Sequence, residues 1–433
     1  MGDGRKLRRS PPNSSRSWTK IRGGGRGYHR AVSASTPTPP SPRADERQTV
    51  TLHGFAHGGE AVGRLDDGRA VFVAHGIPGE TVRVRIIAEH KRWCRGELLE
   101  VVSASHDRVQ PPCPYFGPGQ CGGCRLQHIA TDRRLALLRQ VVVDQLERLG
   151  RISNPVVAET VSAGHYGYRT RARFAVTDRG ALAFRRHGSH DLIAVDRCLL
   201  LDDRTQLLRE AAGDDWAGRE EVEVRTAAHG VTVVVDPAGR PTVALGERVL
   251  AETVDGLTFR VSATSFFQSN RAGAMTLLRL VRSYARCAPG DTALDLYAGV
   301  GLFAAGLAAD GAAVTAVESH PSSVSDARYN LRARGDVLAA PVATALGQFQ
   351  REDRRFDVVV LDPPRRGAGE SVISGVAAVA RRSVVVVACD AATLGRDAAT
   401  LQAHGWSLRE AVPVDQFAQT GHVEVVACFE RLA

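Results

Sequence analysis

Cys389 stands in the run VVVVACDAATLGRD, one alanine after four valines, where a buried strand would end and leave a thiol at its carboxyl edge. Open α/β sheets bind ligands in the crevice beyond that edge, and a thiolate there can attack an electrophilic carbon. Most buried cysteines are small packing residues, so the assignment depends on what surrounds this one. DLYAGVGLF puts a glycine pair at a strand-to-helix turn, where backbone can approach a ligand closely at a helix N-terminus. Glu318 ends the next predicted strand, AVTAVES, near the separation at which an acid bonds ribose hydroxyls in nucleotide-binding folds. The turn lacks the G-x-G-x-x-G pattern that cradles a pyrophosphate, which favours a nucleoside without phosphates, such as S-adenosylmethionine, over NAD. In VVLDPPRRG, Asp362 closes a buried strand and two prolines fix a rigid turn behind it.

The elements that must position these groups follow from periodicity. From about residue 272 helix and strand patterns alternate, which predicts a doubly wound parallel sheet with VEVVACFER as a further strand. Residues 166 to 255 read mostly as strand. TDRRLALLRQVVVDQLERLG reads as an amphipathic helix, with Thr131 or Asp132 as its cap and Gly150 at its end. Between Gln48 and Val102 the apolar pattern has period two, broken by regular Gly and Pro clusters, as in a small antiparallel barrel. Such barrels bind single-stranded nucleic acid through basic and aromatic groups; Arg64, Arg83, Arg85, Lys91, Arg92 and Trp93 are candidates here.

Cys113, Cys121 and Cys124 cluster in CPYFGPGQCGGC, and Cys198 in AVDRCLLL is a candidate fourth. Four thiolates suit either zinc or an iron–sulphur cluster, and spacing does not separate the two. Cys94, Cys287 and Cys428 read as packing residues.

The chain of 433 residues has room for two or three domains. Its net charge of +9 is concentrated in the opening 47 residues, where eleven Lys and Arg face three acids. That segment is rich in Gly, Ser, Pro and Arg, so it is expected to be a disordered basic tail that adds salt-sensitive affinity for phosphates. The remainder is nearly neutral and must recognise a polyanion by a local patch. No apolar run suggests a membrane span or a secretory signal, and the expected location is cytoplasmic.

With these motifs in order, residues 46 to 433 resemble the S-adenosylmethionine-dependent RNA 5-methyluridine methyltransferases, in particular the rRNA branch with a TRAM barrel and an iron–sulphur cluster. FFQSN matches the family's F-x-Q-x-N through Phe266, Gln268 and Asn270. DLYAGVGLF, LDPPRRG, ACDAATLGRD and DQFAQTGHVEVV match four further motifs in sequence. The resemblance implies an α/β fold: a Rossmann-like class I methyltransferase domain (256–433) behind an OB-fold-like TRAM barrel (46–104) and a mixed central domain (105–255), with residues 1–45 as the tail. It implies Cys389 as nucleophile and Glu424 as the base that removes the proton from carbon 5. Gln268, Tyr297, Glu318 and Asp362 would hold S-adenosylmethionine, and Phe266 would stack near the target base. Cys113, Cys121, Cys124 and Cys198 would hold a 4Fe-4S cluster, and the substrate would be RNA, 23S rRNA rather than tRNA.

The chain departs from the family pattern at Asp390 and Ala391, after the nucleophile, and at Ala418. A carboxylate beside the thiol is expected to raise its pKa unless something compensates. Two alternatives therefore stand beside the leading reading: an RNA cytosine carbon-5 methyltransferase, and a degenerate RNA-binding or assembly protein.

Overall fold

The computed structural model describes residues 47–431. The expected basic tail lies outside them. The first described elements are β1 (Arg47–Phe55), β2 (Ala61–Arg64), β3 (Ala70–Val73), β4 (Thr81–Glu89) and β5 (Trp93–Ser103), which close into a barrel in the order β1-β2-β3-β5-β4. The period-two pattern is the cause: Val50, Leu52, Val71, Val73, Val82, Val84 and Cys94 point inward and form its core.

Helix α1 (Thr131–Arg148) forms where the sequence pattern predicts it, but its capping differs. Ala130 occupies the N-cap with no side-chain bond, and Leu149, not Gly150, is the C-cap. Its stripe of Leu137, Leu138, Val141, Val142 and Leu146 is buried in one core with the sheet residues Val384, Val386 and Val425. Tertiary packing holds this helix, not its ends. The short β6 (Val161–Ser162) follows.

The central segment folds as an antiparallel sheet of β7 (Arg171–Val176), β8 (Leu182–Arg185), β9 (Leu192–Ile193), β10 (Glu221–Thr226), β11 (Val231–Val235) and β12 (Thr242–Gly246), in the order β12-β11-β10-β7-β8-β9. Helix α2 (Asp203–Ala212) covers it through Leu208, with Asp202 accepting from the Thr205 amide as its cap. A hairpin of β13 (Val249–Val254) and β14 (Leu257–Ser262) comes next, and the domain boundary expected at residue 255 falls in its turn.

The last part contains α3 (Arg271–Ala285), β15 (Thr292–Leu296), α4 (Leu302–Ala309), β16 (Ala313–Glu318), α5 (Pro321–Leu331), β17 (Gly335–Ala339), α6 (Val342–Arg351) and β18 (Phe356–Leu361). It ends with α7 (Glu370–Val379), β19 (Ala380–Ala388), α8 (Ala391–Ala403), β20 (Trp406–Asp415) and β21 (Glu424–Arg431). The sheet order is β17-β16-β15-β18-β19-β21-β20-β6, parallel from β17 to β19 and antiparallel at β21. Valine-rich β18 and β19 are covered on both faces, which is why they read as continuous apolar runs. Strand order reverses between β15 and β18, so the ligand crevice of such a sheet opens beyond their carboxyl ends. Among the described residues no helix is long and apolar enough to cross a membrane.

Candidate active site

A pocket opens at that switch point. Phe266, Gln268, Tyr297, Ala298, Gly299, Val300 and Asp362 line it, so three of the four residues expected to hold the methyl donor meet there. The turn after β15 is left-handed at Tyr297 (φ 60°) and at Gly301 (φ 89°), which folds the chain sharply into α4. A Cβ on Gly299 would meet nothing within 4 Å, leaving space against the backbone for a ligand. Glu318, the fourth, reaches the turn from β16 by accepting from the Gly299 amide at 2.9 Å. Its other oxygen accepts from the amides of Ser319 and His320. Gln268 is buried and accepts from Gln416 at 2.6 Å, which ties FFQSN to the DQFAQT segment. Phe266 is 57% exposed at the mouth. A large ring left in water at a pocket rim is a ready stacking surface.

Cys389 follows β19 directly, and the antiparallel register pairs Ala388 with Val425 of β21. Cys389 directly follows and Glu424 directly precedes that last pair, so both lie at the same end of the ladder. Burial pushes the Cys389 thiol up to about 12, with the charges of Glu424 and Asp362 adding to it. Glu424 is only 3% exposed. Burial also lifts its carboxyl well above the usual range, and Asp362 adds to the rise. Asp362 itself is raised to about 7 by burial. Two carboxyls so placed do not ionise together easily. Arg365 works in the opposite direction on both Cys389 and Glu424. Sequence reasoning passed over Arg365, although LDPPRRG contains it.

Asp390 contributes least among the groups that act on the thiol. Its side chain caps α8 by accepting from the Thr393 amide at 2.8 Å, and its second oxygen meets His57 Nε2 at 2.9 Å. Burial opposes its charge, yet these bonds hold the carboxyl down at about 2. The expected penalty of an acid beside the nucleophile is thus largely met by a cap and a histidine. Nothing in the sequence announces that contact, because 333 positions separate the pair. Asp295 was also passed over. It is fully buried, raised to about 8 by burial, and accepts from the Ala304 amide inside α4.

On the barrel, Arg83 and Arg85 pair with Glu100 and Glu97, so neither is a free cation. Lys91 and Arg92 are exposed beside Trp93, whose ring stacks on His90 at 3.8 Å.

Away from the pocket, Cys113, Cys121, Cys124 and Cys198 line one cavity of about 220 Å³, all as free thiols. Burial raises the Cys121 and Cys198 thiols, and neighbouring backbone amides act to lower them. Burial lifts the Cys124 thiol to about 12, so a cationic group must be present for it to ionise. Among the described residues no three such ligands converge closely enough on one point for a single metal ion. Four thiols around one cavity are a donor set that suits zinc and an iron–sulphur cluster alike.

Residues 45–99 match the TRAM domain. An RNA methyltransferase of Streptomyces avermitilis is 34% identical over 90% of this chain and 99% of its own. One from Streptomyces coelicolor is 34% identical over 93% and 97%. The fold is shared with the Pyrococcus abyssi tRNA (uracil-54, C5)-methyltransferase, solved with S-adenosyl-L-homocysteine, at a TM-score of 0.68 and 22% identity over 88% of this chain and 99% of that one. A barrel of TRAM type and relatives matched over nearly their full length converge on one conclusion: the chain belongs to the family of these RNA methyltransferases.

Proposed function

We propose that the protein methylates carbon 5 of a uridine in RNA, with Cys389 as nucleophile and Glu424 as base. The observation that carries this reading is that Cys389 and Glu424 adjoin the last pair of the β19–β21 ladder, with the charges of Glu424 and of the pocket residue Asp362 both acting on the thiol. Carbon 5 of uracil is too weak a nucleophile to take a methyl group directly. Addition of the Cys389 thiolate to carbon 6 forms the S–C6 bond and moves the ring π electrons onto the carbonyl, and carbon 5 becomes nucleophilic. S-adenosylmethionine, when bound by Gln268, Tyr297, Glu318 and Asp362, supplies an electrophilic methyl group to that carbon. Glu424 then takes the proton from carbon 5, the ring double bond re-forms, and the S–C6 bond breaks to release the thiolate. A carboxylate raised by burial is a stronger base than a free one, which suits a proton on carbon. Phe266 stacks on the extruded base.

Cys113, Cys121, Cys124 and Cys198 hold a 4Fe-4S cluster in this reading, supported by the breadth of their cavity. The cluster would cross-link the 113–124 loop to Cys198. The barrel with this cysteine set favours 23S rRNA as substrate, in the cytoplasm. A tRNA substrate is the second reading, favoured by the Pyrococcus neighbour.

The test combines trapping with mapping. RNA containing 5-fluorouridine should form a stable adduct with the wild-type protein, because the base cannot remove fluorine from carbon 5. Nucleoside mass spectrometry of rRNA and tRNA from cells with and without the gene should show loss of 5-methyluridine from one pool. Loss of 5-methylcytidine instead would establish the cytosine alternative, and no adduct with any RNA would establish the binding-protein alternative.

A further inference from the structure

The loop between β1 and β2 reaches out of the barrel and touches both sides of the proposed reaction centre. On one side, His57 Nε2 lies 2.9 Å from Asp390 Oδ2, and both side chains are 28% exposed. On the other, a Cβ on Gly421 would lie 2.1 Å from the Gly58 carbonyl oxygen, so the two backbones are in direct contact three residues before Glu424. Arg125 secures the junction by donating to Gly58 O at 2.9 Å, while its own amide bonds to Gln419 O at 2.7 Å.

The protonation of the pair follows from its chemistry. A carboxylate held near 2 only accepts, so Nε2 carries the proton. Among the described residues Nδ1 of His57 is buried with no hydrogen-bond partner, so Nε2 is the one ring nitrogen engaged. The other charged and titratable groups around the pair are His422, Arg365 and Arg125, and burial lowers His422 to about 4. His57 is therefore the donor that engages the free oxygen of Asp390, while the Thr393 amide engages the other.

We propose that His57 is a positioning residue for Cys389: reaching across from the barrel, it holds the Asp390 carboxylate in its helix-capping orientation and keeps that charge off the neighbouring thiol. The inference goes beyond the uridine reading and rests on its choice of Cys389 as nucleophile. Without His57, the carboxylate loses one of its two anchors, can swing toward the sulphur, and disfavours the thiolate. An asparagine at 390 would cap α8 equally well and carry no charge to restrain. This chain, with aspartate there, needs the histidine.

The experiment uses the full chain and the variants His57→Ala, His57→Gln, Asp390→Asn and the double variant H57A/D390N. Alkylation of Cys389 by iodoacetamide is followed across pH by peptide mass spectrometry, together with kcat and KM for methyl transfer. In H57A the alkylation profile should move upward by about one pH unit, a roughly tenfold loss of rate near neutrality. Its kcat should fall in parallel while the KM for S-adenosylmethionine stays unchanged. H57Q retains a donor and should follow wild type, and H57A/D390N should return to the level of D390N alone. An H57A profile that overlays wild type, or a double variant as slow as H57A, overturns the proposal. A wild-type protein that methylates no RNA, with the alkylation profiles still separated as described, counts against the uridine reading and leaves the control of the thiol by His57 standing.

Discussion

Cys389 directly follows and Glu424 directly precedes the last pair of the β19–β21 ladder, Ala388 with Val425, so the two residues leave it at the same end. Cys389→Ala should therefore reduce methyl transfer by about 10⁴-fold or more and abolish the 5-fluorouridine adduct. Binding of S-adenosylhomocysteine, read by calorimetry, should be unchanged because the pocket at Tyr297 and Glu318 is intact.

Glu424→Gln should separate the two halves of the reaction. Methyl transfer would proceed once, and the methylated RNA would stay bonded to Cys389 for want of a base, visible as a slowly migrating complex on a denaturing gel. Turnover should fall by about 10²- to 10⁴-fold. The pH dependence has a definite sign. Burial raises the thiol to about 12 and Asp362 to about 7, and it raises Glu424 as well. The working forms are deprotonated, so kcat/KM should climb with pH from acid through neutrality, its lower limb belonging to the Asp362–Glu424 pair. A rate that falls over the same range would contradict the assignment of Glu424 as base.

Much of this site was legible along the chain because its parts lie at the ends of strongly patterned strands. Four valines before Cys389 and the VVVL before Asp362 mark β19 and β18 by apolarity alone, and DLYAGVG marks the turn after β15. What periodicity could not carry was the order of the strands. Only the insertion of β21 beside β19 brings Glu424 to the end of the ladder that Cys389 follows, and a register is a property of two segments 35 residues apart. The contact of His57 with Asp390 was hidden more deeply, since it joins the barrel to the strand-end after β19 through one loop side chain. Barrel arginines show the converse: Arg83 and Arg85 read in sequence as candidate nucleic-acid contacts and stand opposite Glu100 and Glu97 in the sheet.

The cysteine cavity predicts a metal-dependent property that activity alone would not report. Cys198→Ala should cost bound iron and the broad visible absorption of an iron–sulphur cluster in anaerobically purified protein. The variant should also unfold at a lower temperature, because the loop bearing Cys113, Cys121 and Cys124 would lose its link to the central sheet. Stoichiometric zinc in place of iron in the wild-type protein would refute the cluster.

Gly421 offers a test of how tightly barrel and methyltransferase parts depend on each other. Its backbone needs no left-handed conformation, so alanine is penalised by space alone: the new methyl would lie 2.1 Å from Gly58 O and 2.5 Å from Gly58 C. Both are backbone atoms, which cannot rotate away as a side chain would, and the two loops must separate. Overpacking of this kind costs about 1–3 kcal/mol, read as a lowered thermal midpoint. Gly347→Ala is the informative contrast. It lies inside α6, its nearest neighbour is the flexible end of Arg351 at 3.5 Å, and the gain in helix propensity should stabilise by up to about 1 kcal/mol. Because the displaced loop also carries His57, Gly421→Ala should slow methyl transfer beyond what its loss of stability explains, with Cys389 alkylation slowed as in H57A. Equal activity per folded molecule in Gly421→Ala and wild type would show that the loop junction holds the fold together without serving the reaction.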